Sequence, residues 1–209
     1  MKLYYHWLAA MALVALHSVA GARILGASQM DKDSKDDSSE DTPIASCRNF
    51  SPEEAVVSSM TFGGPHGDPF NDKDKIRPGQ HATKLTMYHG DRVNGIALHV
   101  SYPDSVSVTL EHGGTGGMTS HFFIDHEEYI TSVAVQTTKK TGRTRIGYLK
   151  FGTNKGREYE GGKLSKDTDK LELVLCPNNT QIGGFQGRSG REVDSLGFYF
   201  TPIATTLCP

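Results

Sequence analysis

The chain has 209 residues, 36% of them hydrophobic, a formal charge of −2 and a sequence pI near 6.5. That is enough apolar material for one core, and it provides no general basic field, which sets nucleic acid aside as a partner. The 23 glycines and many short alternating runs favour an all-β domain rich in turns over a helical one.

Met1-Lys2-Leu3 leads into an apolar run from Trp7 to Leu16, closed by the small residues Ala20-Gly21-Ala22. This is the layout of a secretory signal peptide over residues 1–22, cleaved after Ala20 or Ala22. The run is too short to span a bilayer, and nothing later is long enough to do so. Residues 23–46 are poor in apolar side chains and contain the acidic run Asp31 to Asp41, so they read as a disordered tether that cannot bury enough surface to offset its ordering entropy. The alternating Asp and Lys lack the glycine and terminal glutamate of an EF-hand loop, and no metal is expected. Arg23-Ile24-Leu25-Gly26 ahead of the acidic stretch resembles the host-targeting leader of oomycete effectors.

The remainder, residues 47–209, reads as one domain. In a secreted protein Cys47, Cys176 and Cys208 meet an oxidising setting, and their number is odd. A bridge between Cys47 and Cys208 would tie the entering and leaving strands together and leave Cys176 as a buried thiol; the other two pairings stay open. Two sequons could carry glycans, at Asn49, where Pro52 makes a poorer acceptor, and at Asn178.

Ser51 to Ala55 suits a helix start, with Ser51 as N-cap and Pro52 next, or leads directly into an edge strand over Val56 to Thr61. A glycine loop, Gly63 to Phe70, follows. Alternating strands run from Ile96 to Tyr102 and Val106 to Leu110, and a second glycine loop spans Gly113 to Gly117. Further alternation appears at Tyr129, Thr131, Val133 and Val135, at Ile146, Leu149 and Phe151 around Gly147, and at Leu171, Leu173 and Leu175. No stretch after Ala55 holds a helical period, and the spacing suits a sandwich, barrel or prism.

Near the C-terminus Gly190-Arg191-Glu192-Val193-Asp194 forms a polar loop entering a strand in which Leu196, Phe198 and Phe200 alternate with Gly197, Tyr199 and Thr201. Gly90-Asp91-Arg92-Val93-Asn94 repeats it, with Asn for Asp. One unit is thus used twice, and each loop has a candidate partner in a glycine-pair loop. Such a pairing has a rationale as a sugar site. A glycine lets its backbone N–H approach a ligand, and a fixed carboxylate accepts from two vicinal hydroxyls through charge-assisted hydrogen bonds of about 1.5–3 kcal/mol. Asp194, the N–H groups of Arg191 and Glu192, and that of Gly67 would form this cradle; the alternative, common in β domains, is that these glycines only make turns.

Enzyme readings fail on the motifs. Gly187-x-Ser189-Gly190 is one residue short of a hydrolase elbow, His-Glu-x-x-His is absent, and the cysteines lack zinc spacing. Asp125 and Glu127 would make a carboxylate pair, but one without a cleft. No catalytic residue and no cofactor is expected.

Four runs in order carry a resemblance: Gly63 to Asp72, Glu128 to Val133, Leu149 to Gly156, and Ile182 through Tyr199. Together they resemble a jacalin-related lectin domain over roughly Thr61 to Ile203. The resemblance implies a β-prism of three four-stranded Greek-key sheets, and calcium-independent binding of mannose, glucose or related sugars at loops on one end. It implies a carbohydrate site at Gly67, Gly190, Arg191, Glu192 and Asp194, with Asp194 accepting from the fourth and sixth hydroxyls. Galactose preference in the family accompanies a free N-terminal glycine at the position of Gly67; here that glycine is internal, which favours mannose-type sugars. A second, weaker site would use Gly117, Asp91, Arg92 and Asn94, where the asparagine loses a charge and an acceptor. The third repeat, Gly142 to Phe151, has no carboxylate in register and is expected to be structural, while the charges of Arg191 and Glu192 are expected to be solvated. Glycans are the expected partners, with self-association left open, and the competing expectation is a prism that has lost sugar binding and serves as an interaction or adhesion protein.

Overall fold

Side chains of a strand alternate between its two faces, so a chain of short alternating runs separated by glycine turns can close three small sheets around one apolar axis. The computed structural model describes residues 56–166 and 170–203. The leader, the tether, Cys47, Asn49, Ser51 to Ala55 and Cys208 lie outside the described residues.

The strands are β1 (Val57–Ser58), β2 (Phe62–Gly63), β3 (Asp68–Asn71), β4 (His81–His89), β5 (Val93–Ser101), β6 (Ser107–Gly113), β7 (Met118–Phe123), β8 (Ile130–Lys140), β9 (Arg143–Thr153), β10 (Glu158–Gly162), β11 (Leu171–Leu175), β12 (Thr180–Ser189) and β13 (Val193–Pro202), with a 3₁₀ turn at Lys73–Lys75 between β3 and β4. All pairings are antiparallel. Two sheets have the orders β6-β5-β4-β7 and β10-β9-β8-β11, each a Greek key in which the fourth strand returns beside the first. The third has the order β1-β13-β12-β3, with β2 continuing the β1 side of β13. It is the same Greek key built from both ends of the chain. This is the β-prism of three Greek-key sheets, with the outer strand of one sheet split in two.

The repeat extends to local irregularities. Each central hairpin carries two register shifts: one leaves an extra residue on its first strand, at Thr83, Thr131 and Gly183, and the other leaves an extra residue on its second strand, at Asn94, Gly147 and Asp194. A bulge adds a residue and bends the strand, and two per repeat curl each sheet toward the common axis. One backbone bond recurs as well: Gly64 N–H to Asp194 O at 2.9 Å, Gly114 N–H to Asn94 O at 2.9 Å, and Lys163 N–H to Gly147 O at 3.0 Å. Asp194, Asn94 and Gly147 therefore occupy equivalent positions.

The core joins the inner faces of the three sheets. Leu85, Ile96, Leu98, Val133, Leu149, Phe151, Phe185, Leu196 and Phe198 are fully enclosed, and Phe198 packs edge-on against Phe151 and Phe185 with ring centres 6.2 Å apart in both cases. Strand β13 is buried on both faces, because the segment around Met60 and Thr61 covers its outer side and the single Tyr199 hydroxyl proton is shared between Asn71 Oδ1 and Gln186 Oε1, each 3.0 Å away. The run at Leu171, Leu173 and Leu175 has the opposite phase from a core face: these leucines point outward, and it is Val174 and Cys176 that pack on the core. Burial pushes the Cys176 thiol up to about 12, so it stays protonated and inert. Among the described residues, no helix is long and apolar enough to cross a membrane. Asn178 is exposed at the turn before β12.

Candidate functional site

The hairpin β12–β13 turns through Gly190, Arg191 and Glu192, closed by Gly190 N–H donating to Glu192 O at 3.0 Å. The turn β4–β5 closes identically, with Gly90 N–H donating to Arg92 O at 3.0 Å. In the third repeat the hairpin is longer. Eight residues separate Thr137 from its partner Ile146, where three separate His89 from Val93 and three separate Ser189 from Val193. The five extra residues project beyond the other two turns.

Gly67, Gly190, Arg191, Glu192 and Asp194 line one cavity of about 270 Å³, together with His66, Arg143 and Arg145. Residues far apart in the chain meet there because β3 pairs with β12, placing Asp68 opposite Ser189. Arg188 fixes the incoming loop by donating from Nε to Gly67 O at 3.1 Å. Gly67 has φ of +76°, and a Cβ there would stand 2.6 Å from Asp194 Oδ2 and 2.7 Å from the Ser189 carbonyl. Only a glycine fits, and its backbone borders the carboxylate directly. Asp194 is 5% exposed, and its Oδ1 is enclosed without a hydrogen-bond donor among the described residues. A buried carboxylate oxygen needs compensation, and the Arg145 guanidinium 3.5 Å from Oδ1 brings positive charge to it, while Oδ2 is the oxygen that borders Gly67.

Arg145 is the residue that the repeat pattern missed. Its Nε lies 3.5 Å from Asp194 Oδ1 and 2.8 Å from Glu192 Oε2, so the long hairpin is part of this site and not merely structural. Glu192 is not solvated either. Arg92 donates to it from Nε, 2.9 Å from Oε2, and from Nη2 to Oε1, a bidentate pair. The hydrogen bond from Arg92 holds the Glu192 carboxyl below the ordinary carboxylate range and outweighs the opposing effect of partial burial; Arg145 and Lys140 add to it. The charge of Arg191 is exposed, as expected.

The second set is only partly assembled. Gly117, with φ of +87°, borders Asn94 as Gly67 borders Asp194, and a Cβ there would lie 3.0 Å from Asn94 Nδ2. That amide already donates to Gly116 O at 2.7 Å, so it presents a donor where the first site presents an acceptor. Arg92 turns its side chain away to Glu192, and Asp91 remains exposed on the turn. A larger hollow of about 430 Å³ lies on the outer face of β4–β6 between Lys84, His99, Thr109 and Phe123, and no carboxylate lines it.

Residues 59–199 match the model of the Jacalin-like lectin domain. The chain is 29% identical over 152 residues to "Secreted RxLR effector protein 19" of Plasmopara viticola, covering 72% of this chain and 84% of that one. It is 30% identical over 144 residues to "Horcolin" of Hordeum vulgare, covering 66% of this chain and 95% of the relative. Among solved structures, a mannose-specific jacalin-related lectin from Morus nigra in complex with mannose superposes with a TM-score of 0.58 at 24% identity, over 74% of this chain and 99% of that one.

Proposed function

The chain belongs to the family of Jacalin-like lectin domains, non-enzymatic carbohydrate-binding proteins, and from that premise we propose that it is a secreted, calcium-independent lectin for mannose- or glucose-type glycans. The observation that carries the reading is the convergence of Gly67 and Asp194, whose Oδ2 borders that glycine, in one cavity with the Arg191–Glu192 turn. In this reading Asp194 accepts from two hydroxyls of one hexose, and the N–H groups of Gly67, Arg191 and Glu192 donate to the same sugar. Arg145 brings positive charge to the carboxylate, a role a bound calcium would otherwise fill, which supports calcium independence. Mannose-type preference is supported by Gly67 being internal and by the named specificity of the Morus nigra protein.

The leader at residues 1–22, the tether at 23–46 and the domain at 47–209 belong to the same proposal. The signal-peptide layout and the similarity to the Plasmopara viticola secreted effector support secretion, and Arg23-Ile24-Leu25-Gly26 fits a delivered effector. A Cys47–Cys208 bridge and glycans at Asn49 and Asn178 would accompany that route.

A single shallow site gives monosaccharide affinity near millimolar, about −4 kcal/mol, so useful avidity requires several sites in one assembly. The test is a glycan array with calcium chelated, run on the wild type and Asp194→Ala, beside circular dichroism of both. Mannose-type signal in the wild type, lost in a folded Asp194→Ala, is the expected result; sugar binding that survives the substitution removes the site assignment. One observation favours the other reading, an interaction protein without sugar binding: Arg145 already stands beside the Asp194 oxygen a hydroxyl would need. A blank array with a protein partner recovered by pull-down would decide for it.

A further inference from the structure

The cavity wall holds three arginines, Arg143, Arg145 and Arg191, against two carboxylates, Glu192 and Asp194. The charges are not used evenly. Glu192 is taken by Arg92 and Arg145, and Arg145 also borders Asp194. Arg143 and Arg191 are exposed, line the same cavity from two different hairpins, and have no ion-pair partner among the described residues. Arg143 belongs to the extended β8–β9 hairpin, whose tip reads Lys139-Lys140-Thr141-Gly142-Arg143-Thr144-Arg145, four cations in seven residues. The chain as a whole carries a net charge of −2, so this concentration of positive charge is local to the site.

Two free guanidinium groups at the mouth of a sugar-sized cavity match a planar or tetrahedral anion, to which each can donate two parallel N–H bonds. They would do little for a neutral hexose, whose hydroxyls are served by the backbone amides and Asp194 inside. An anion on a hydroxyl gripped by Asp194 would meet that carboxylate at close range and be repelled. We infer that the site takes a hexose bearing an anionic substituent, a sulfate, phosphate or carboxylate, on a position directed away from Asp194 toward Arg143 and Arg191. The inference rests on the sugar-site reading above and specifies its ligand class.

The experiment titrates the folded chain with methyl α-mannoside and with its 2-O-, 3-O- and 6-O-sulfates, at low and high salt. At low salt the 2-O- or 3-O-sulfate should bind about tenfold more tightly than the neutral mannoside, an advantage that shrinks as salt screens the guanidinium groups. The 6-O-sulfate should bind more weakly than the neutral sugar. The ratio of sulfated to neutral affinity, read within one protein, should fall toward unity in Arg143→Gln and further in the Arg143→Gln, Arg191→Gln double variant. Neutral binding with no advantage for any sulfate overturns this inference alone. Sulfate binding that persists in Asp194→Ala marks a non-specific anion patch and also overturns it. If none of the four sugars binds, the sugar-site reading falls and takes the inference with it.

Discussion

Glu192 shows how a charged residue can leave solvent without leaving the surface. Arg92 comes to it from the turn of one repeat and Arg145 from the long hairpin of another, so one carboxylate links all three repeats at the tip. Because its folded pKa lies below the ordinary carboxylate value, its contribution is fully present above the unfolded pKa and is lost as pH falls through the folded one. Glu192→Gln should therefore cost about 1–3 kcal/mol at neutral pH and reduce the loss of stability on acidification, as read from urea midpoints at neutral and acidic pH. An unchanged neutral midpoint would show the two pairs to be worthless. The flattening should be partial, because Glu128 is held low as well. Its burial raises the pKa, but the Asp125 N–H, the Thr153 hydroxyl and Arg157 together outweigh it. The pairing of Gly67 with Asp194 was legible through the resemblance to the family, since glycine loops are common turns in β domains and do not name their partners by themselves. Arg143 and Arg145 were not, because a repeat pattern registers which residues recur and says nothing of where a hairpin lengthened by five residues reaches.

Strand β11 is the element in which sequence pattern and structure part. Three leucines at a spacing of two read as a core face, yet Leu173 and Leu175 are each 66% exposed. The strand lies at the edge of its sheet, bonded only to β8, and the interior beside it is already filled by Val133, Val135, Leu149 and Phe151 from the two central strands. What the strand supplies inward is Val174. Leu173→Lys should thus change stability by no more than about 0.5 kcal/mol, whereas Val174→Asp should cost about 2 kcal/mol, compared by thermal melting. Equal losses in the two would mean the strand is phased the other way. The central hairpins behave differently: Ile146, Leu149 and Phe151, and Leu196, Phe198 and Phe200, are all buried as their apolar character implies, and the bulges explain why alternation alone mis-phases parts of β8.

At the scale of the molecule, three sheets with one repeated plan must be fastened to one another. Asp72 is one fastening. Fully buried after β3, it accepts from Phe185 N–H of β12 at 3.1 Å and pairs with His112 Nε2 of β6 at 2.8 Å, while Phe70 stacks on the His112 ring at 3.8 Å. Asp72→Ala should cost about 1–3 kcal/mol through the donors left without a partner, with a single cooperative transition retained in urea. A wild-type midpoint would show that the sheets are held by apolar packing alone. The prism was legible through the resemblance to the jacalin-related family, since alternation and spacing alone left sandwich, barrel and prism open, and the split outer strand β1/β2 was not, since two-residue segments carry no periodicity. The sheet bearing the first site is completed by strands far apart in sequence, β1 to β3 and β12 to β13. On a ribosome, β3 and Gly67 emerge more than a hundred residues ahead of Asp194, so the pocket cannot assemble until β12 and β13 have followed them.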